Sequence, residues 1–265
     1  MQMHTKVSLV VPYFEDEEEL SRFLLMDSTK LWDEVIIVDD GSTKELAKEV
    51  VEKWADDDIN IRILRVPINY GFNGHGCRNL GVQQATHDWV FLIDVDMEIS
   101  EESVKAVYKH IPELTEDQFL GVWARTTPCP KAAPQYVDKN YMDYIDPVEY
   151  NTYGIRKETF LKTRGYDEDF RNMHGGSRVF IERLQTFLER KHFDDVIAGA
   201  MRPGREVVIV EDQELTEYED MIIYHPKSYK EFDKLLKEIS YYRNEHPETW
   251  KDKTFIDFEW YEETL

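Results

Sequence analysis

Four short apolar runs, at residues 7–13, 35–38, 59–66 and 89–93, set the frame of this chain. Each is rich in β-branched residues, has the length of a strand, and gives way to a helical pattern. The helix after the first run, about residues 17–26, is acidic in its opening turn, where the helix dipole favours carboxylates. Ser42 with Glu45 three residues on predicts a capping box and a helix to about Trp54. After the third run a glycine-rich loop precedes a short predicted helix at 77–85. Strand and helix alternating at this spacing predict an α/β fold, a mostly parallel central sheet with helices on both faces, Rossmann-like in its N-terminal half. In such a sheet a ligand binds beyond the carboxyl ends of the strands.

Acids stand at those ends. The second run closes in Asp39-Asp40-Gly41-Ser42. Asp-Gly with a serine is a turn signal, but two carboxylates exceed what a turn needs, and an acid here can accept from a base N–H or a ribose hydroxyl. The fourth run closes in Asp94-Val95-Asp96. Strand alternation predicts both carboxylates on one side, with Val95 turned away. Carboxylates ending a buried strand are costly unless a cation or donors meet them. Two hard oxygen ligands suit Mg²⁺ or Mn²⁺, with phosphate oxygens completing the shell. The competing reading is a strand that ends in two solvated acids, one capping the next helix.

The loop Asn69-Tyr70-Gly71-Phe72-Asn73-Gly74-His75-Gly76 has the composition of a phosphate cradle, although its spacing is not GxGxxG. Arg78, placed on the first turn of the following helix, is a candidate for a charge-assisted bond to a diphosphate, or an exposed surface arginine. His225, after the apolar run 221–224, is a candidate third metal ligand, and His174 is a weaker rival.

Further on, Ser100 predicts the cap of a helix to about Ile111, where Pro112 stops it. Strands are expected at 120–125, 153–155, 207–210 and 221–224, and helices at 157–163, 178–191 and 228–243. Residues 126–146 are proline-rich and aromatic and predict a loop over the cleft. Over residues 126–153, Tyr136, Tyr141, Tyr144, Tyr150 and Tyr153 can stack on sugars or bases, or serve as core. The aromatic, acidic tail from Trp250 packs over the domain or over a partner.

The net charge of −22 disfavours general affinity for nucleic acid or anionic membrane. Residues 151–205 differ, with 11 basic against 8 acidic residues, a local excess of +3 that leaves room for an acidic acceptor. Two cysteines, Cys77 and Cys129, form no disulfide framework, so a reducing, cytoplasmic compartment is expected. The N-terminal apolar run reads as a strand, not a signal peptide, and no run approaches the ~18 apolar residues of a membrane helix.

Taken together, Val7-Ser8-Leu9-Val10-Val11-Pro12-Tyr13, Val38-Asp39-Asp40-Gly41-Ser42, Asn69-x-Gly71, Arg78-Asn79-x-Gly81 and Asp94-Val95-Asp96 resemble, in order and spacing, the GT-A glycosyltransferases of the family 2 type. The Asp-Val-Asp form is also similar to that of the β-1,4-galactosyltransferases. The resemblance covers residues 6–100 and continues, more weakly, through Arg156-Lys157-x-x-Phe160 and Gly165-Tyr166-Asp167-Glu168-Asp169-Phe170.

The resemblance implies a GT-A fold with a nucleotide-sugar-binding half at 1–125, an acceptor-side half at 126–226, and a C-terminal helix and tail at 227–265. It implies that Asp40 binds the nucleoside, that Pro12, Tyr13 and Glu15 line the base pocket, and that Gly71 and Arg78 serve the diphosphate. Asp94 and Asp96 then hold Mn²⁺ or Mg²⁺, Asp96 directly and Asp94 through water or by touching ribose, with Val95 alongside and His225 completing the set. The donor is expected to be a UDP-sugar. The acceptor is a hydroxyl on a glycan or another molecule, with hydroxylated bases of viral DNA admitted but disfavoured by the net charge. In this chemistry the metal stabilises the leaving diphosphate while the cleft positions the acceptor hydroxyl.

One departure stands out. Inverting members place a carboxylate base where this chain reads Arg171-Asn172-Met173-His174-Gly175-Gly176-Ser177-Arg178. Asp167, Asp169 or Glu182 substitutes, or the enzyme is retaining, or the chain binds a donor without turning it over. A nucleotidyltransferase on a similar sheet is a further rival, against which the acidic stretch 13–20 argues.

Overall fold

The structure, a computed structural model, describes residues 5–125, 145–146, 150–171, 175–200 and 256–265. The first apolar run forms strand β1 (Val7–Tyr13), followed by helix α1 (Glu17–Leu25). Asp16 caps α1 by accepting from the Glu19 N–H at 3.2 Å. Then come β2 (Glu34–Asp39), α2 (Ala47–Trp54), β3 (Ile61–Arg65), α3 (Gly74–Gln84) and β4 (Trp89–Leu92). These strands lie in the order β3-β2-β1-β4, all parallel. The order reverses between β1 and β4, the switch point at which α/β sheets open a crevice.

The second half widens the sheet. It adds β5 (Met97–Ile99), α4 (Glu101–His110), β6 (Gln118–Arg125), β7 (Ile145–Asp146), β8 (Tyr153–Arg156), α5 (Lys157–Lys162), α6 (Gly176–Gln185), β9 (Glu189–Ala200) and β10 (Tyr261–Glu263). The sheet continues β4-β8-β6-β9-β5, with β8 antiparallel to both its neighbours and β6 parallel to β9. On the far edge β10 runs antiparallel to β3. So the tail packs onto the domain itself.

Alternation sorts the core. Val7, Leu9, Val11 and Tyr13 face α1, α2 and α4, while Val10, Ile36, Val38, Val90 and Leu92 face α3, α5 and α6. Each such aliphatic side chain contributes about 1.5–3 kcal/mol by leaving water. Helix α3 is buried from Gly74 to Val82. A side chain at Gly81 would run into Val10, and one at Gly76 would meet Asn73 and Phe258 at under 3 Å. The glycines let this helix lie close against sheet and tail.

Several expected boundaries move. The capping box at Ser42 does not form: α2 begins at Ala47, and the Asp39 carboxylate caps it from the strand end, accepting from the Ala47 N–H at 3.0 Å and the Ser42 N–H at 2.8 Å. Helix α3 starts at Gly74 rather than 77, which places Arg78 in its second turn. The helix expected to reach 191 ends at Gln185, because residues 189–200 pair with β6, and that pairing overrides local propensity. The Ser100 cap is present, accepting from the Ser103 N–H at 3.2 Å. The expected strands at 207–210 and 221–224, the helix at 228–243, most of the 126–146 loop, Cys129, His174 and His225 lie outside the described residues.

Candidate active site

The crevice at the switch point is floored by the carboxyl ends of β1, β2 and β4. Ile93 still donates to the Val10 carbonyl at 3.2 Å, after which the chain turns, the Met97 N–H closing on the Asp94 carbonyl at 3.0 Å. Asp94, Val95 and Asp96 therefore sit on a β-turn between β4 and β5, not on a strand, and strand alternation does not set their directions. All three are half-buried.

Asp94 is gripped from two sides. Its Oδ1 accepts from Arg78 Nη2, and its Oδ2 accepts from Asn151 Nδ2 at 2.9 Å. The Arg78 side chain is only 5% exposed. Burial opposes its charge, but Asp94 more than restores it, and the guanidinium titrates above its ordinary value. It lies 5.6 Å from the Tyr166 ring centroid. Its Nε and Nη1 are buried and have no partner among the described residues. Buried donors left unpaired are costly and mark a place where an acceptor is expected. Arg78 is thus not the exposed surface arginine of the competing reading.

Asp40 stands across the crevice floor. It is 3% exposed, its Oδ2 accepts from the Asn73 N–H at 2.8 Å, the Cys77 thiol hydrogen-bonds the carboxylate, and among the described residues no N–H or O–H donor meets its Oδ1. Burial, with Asp39 adding repulsion, pushes its carboxyl up to about 7. Asp39 serves the fold instead. Besides capping α2 it accepts from Arg65 Nη1 at 2.8 Å. Gly41, at φ +78°, packs its backbone against that of residues 68 and 69, so the second acidic loop and the glycine loop lie together. Gly71, at φ +79°, closes a turn by donating to Asn69 Oδ1 at 2.7 Å.

The expected base-pocket residues divide. Tyr13 is 2% exposed, with its hydroxyl donating to the Glu45 carbonyl at 2.7 Å. Alternation turns it into the core beneath α1 and α2, so it offers no face to a base. Pro12 is on the opposite face and half-buried. Glu15, at φ +40°, binds the neighbouring loop through Oε1, accepting from the Thr43 N–H at 2.6 Å and the Lys44 N–H at 3.1 Å. Burial raises its carboxyl, but these bonds outweigh burial and leave it below the usual range.

The candidate bases have structural partners. Asp167 is 6% exposed and caps the turn Glu168–Phe170, accepting from the Asp169 N–H at 3.1 Å. Glu182 accepts from Arg178 Nε at 2.8 Å. Two asparagines missing from the expectations matter more. Asn151 orients Asp94. Asn79, fully buried, donates to the Tyr166 carbonyl and to Glu168 Oε1, both at 2.9 Å, and accepts from the Tyr166 N–H at 2.8 Å. It locks the 165–168 segment onto α3. Its place beside Arg78 in the motif was the available signal; Asn151 had none.

Among the described residues no group of three or more histidine, cysteine or acidic side chains stands together to hold a metal. The chemistry of the described donors still fits a hard cation. Asp96, half-buried, stands two residues on from Asp94, whose partner Arg78 has spare donors for anionic oxygens. Asp94, occupied by Arg78 and Asn151, fits an indirect role.

Residues 8–180 match a family described as glycosyl transferase family 2. Among curated proteins, the poly(ribitol-phosphate) beta-N-acetylglucosaminyltransferase TarS of Staphylococcus aureus is 30% identical over 119 residues, 43% of this chain and 20% of TarS. An undecaprenyl-phosphate 4-deoxy-4-formamido-L-arabinose transferase of Pectobacterium carotovorum is 30% identical over 112 residues, 39% of this chain and 33% of that protein. The chain thus spans a third or less of the length of these relatives. Among solved structures, residues 1–349 of S. aureus TarS superpose with a TM-score of 0.58 at 21% identity, over 74% of this chain and 60% of that one. A Pyrobaculum calidifontis mannosyltransferase, solved with GDP-Man and Mn²⁺, superposes at 0.56 with 14% identity, over 77% of this chain and 59% of that one. At these identities the superpositions speak for the fold.

Proposed function

This chain belongs to glycosyl transferase family 2, and on that premise we propose that it moves a sugar from a UDP-linked donor to an acceptor hydroxyl, with a divalent cation held at Asp96. The observation that carries the reading is Arg78: a buried cation at the switch-point crevice, fixed by Asp94, with two donors unspent. A nucleoside diphosphate brings the acceptors those donors lack.

The base end falls to Asp40. Its Oδ1, which no N–H or O–H donor meets among the described residues, suits the N–H of a pyrimidine ring, and the Asn73 N–H holds the other oxygen so that the carboxylate cannot turn away. Asp94, pinned by Arg78 and Asn151, takes in this reading a ribose hydroxyl on a remaining lone pair. When bound, the cation supplies Lewis-acid stabilisation of the departing diphosphate. Arg78 adds its own charge to the same oxygens, in a crevice where burial strengthens the interaction. The relative TarS is named for acetylglucosaminyl transfer to poly(ribitol-phosphate), and one TarS structure holds UDP-GlcNAc. These make UDP-GlcNAc the first donor to try.

The test is a thermal-shift panel of UDP, GDP, dTDP and UDP-GlcNAc with and without Mn²⁺, followed by assay of UDP release. UDP stabilisation that grows with Mn²⁺, and release of UDP from the sugar nucleotide, is the expected result. A protein that binds UDP with Mn²⁺ yet releases none from any UDP-sugar is a silent binder, and the transferase reading then fails.

A further inference from the structure

Beyond the donor crevice, one pair of side chains has polar atoms that nothing in the fold explains. Trp123 on β6 and His192 on β9 lie with ring centroids 4.6 Å apart at 36°. Trp123 Nε1 and His192 Nε2 are both buried and, among the described residues, both without a partner. An indole N–H and an imidazole nitrogen side by side, each unsatisfied, is a costly arrangement for a fold to keep unless a ligand completes it.

The backbone makes room for the pair. Gly121 pairs with His192, and a side chain at Gly121 would meet His192 Nε2 at 2.5 Å, so only glycine lets the imidazole lie over β6. The register then slips, Trp123 pairing with Ile197 although His192 is five residues earlier. The extra residues of β9 form a bulge, a feature that re-aims side chains. This one is anchored to α4: Phe193 stacks on His110 at 3.8 Å, and Asp195 lies 2.8 Å from His110 Nε2 and 3.1 Å from Lys109 Nζ.

Its position points toward the crevice. Phe119, Gly121 and Trp123 alternate onto one face of β6, where Phe119 packs on Tyr153, the Tyr153 hydroxyl bonds to that of Tyr166 at 3.0 Å, and Tyr166 carries Arg78. Gly121 pairs with Tyr153, so two residues on, Trp123 comes level with Asn151, the residue that holds Asp94. Two strand spacings, about 10 Å, separate it from Asp94.

We infer that Trp123 and His192 form a binding subsite for the acceptor, taking one sugar ring. One hydroxyl of the ring accepts from Trp123 Nε1 at the indole edge and another donates to His192 Nε2. The imidazole suits an accepting role: burial and the nearby Arg190 charge push its pKa down to about 4, so it is neutral at ordinary pH. The inference rests on the glycosyl-transfer reading above.

The experiment uses the full chain with UDP and Mn²⁺, indole-¹⁵N labelled, with the Trp123 resonance assigned as the one lost in Trp123→Phe. The probes are methyl β-D-glucoside and methyl N-acetyl-β-D-glucosaminide, taken to tens of millimolar, with glycerol as a polyol without a ring. The expected result is a saturable shift of the Trp123 indole by at least one glycoside and not by glycerol. His192→Phe should weaken that affinity at least about threefold, the low end for one lost hydrogen bond, while UDP affinity by calorimetry stays unchanged. An unmoved Trp123 indole in protein that binds UDP and releases it from UDP-GlcNAc overturns the subsite and leaves the donor reading standing. Failure to bind UDP would instead remove the donor reading.

Discussion

Arg78 and Asp94 form a buried ion pair that uses one of the arginine's terminal nitrogens and leaves its Nε and Nη1 unspent, although the guanidinium is shut away from water. The pair fixes the cation without exhausting it.

Arg78→Ala should therefore weaken UDP binding at least about tenfold, the low end for a lost charge-assisted bond, and leave uridine binding unaltered. Calorimetry with both ligands checks this. Equal losses for UDP and uridine would mean that the residue only supports the fold.

Asp40 titrates at about 7 when folded, against about 3.9 in an unfolded chain. The folded state holds that proton more tightly, so stability falls as pH rises from about 4 to about 7. Asp40→Asn removes this loss: its melting temperature should exceed that of the unaltered protein at pH 8 by more than at pH 5. Uridine prefers the charged carboxylate, so its affinity for the unaltered protein should rise through pH 7 and be flat in the variant.

Asp96→Ala should abolish the part of UDP binding that depends on Mn²⁺, with circular dichroism and melting temperature unchanged because Asp96 lies on a half-buried turn. Binding titrations with and without Mn²⁺ read the difference. A variant with the same Mn²⁺ enhancement as its parent would place the cation elsewhere.

Gly41→Ala forces a side chain into positive φ and against the Ile68 carbonyl, 2.7 Å from the new carbon. It should cost at least about 2 kcal/mol in urea unfolding. It should also weaken UDP binding, because the loop displaced from residues 68 and 69 leads to Asn73, the partner of Asp40.

The N-terminal half of the fold was legible because apolar runs ending in acids report strands and their carboxyl ends. The two adjacent acids part company by strand parity: Asp39 turns toward α2 and caps it, and Asp40 turns toward α3. Helix α3 was read three residues short because Gly74 and Gly76 are poor helix formers; close packing on Asn73, Phe72 and Phe258 is what requires them. The turn at Asp94 was read as strand, since a local pattern cannot show where β4 loses its partners. Asn151, Trp123 and His192 acquire meaning only through pairings between distant strands, which no window of sequence contains.

Strand β10 closes the open edge of β3, and Arg62 binds Glu262 through both its Nε and Nη2, a contact that spans 200 residues of chain. Residue 258 in the same stretch reaches the glycine-rich loop, where Arg171 lies over both Tyr70 and Phe258. A chain truncated before Tyr261 leaves that border of β3 unpaired, and a bare strand edge of this kind is a template on which further copies can add.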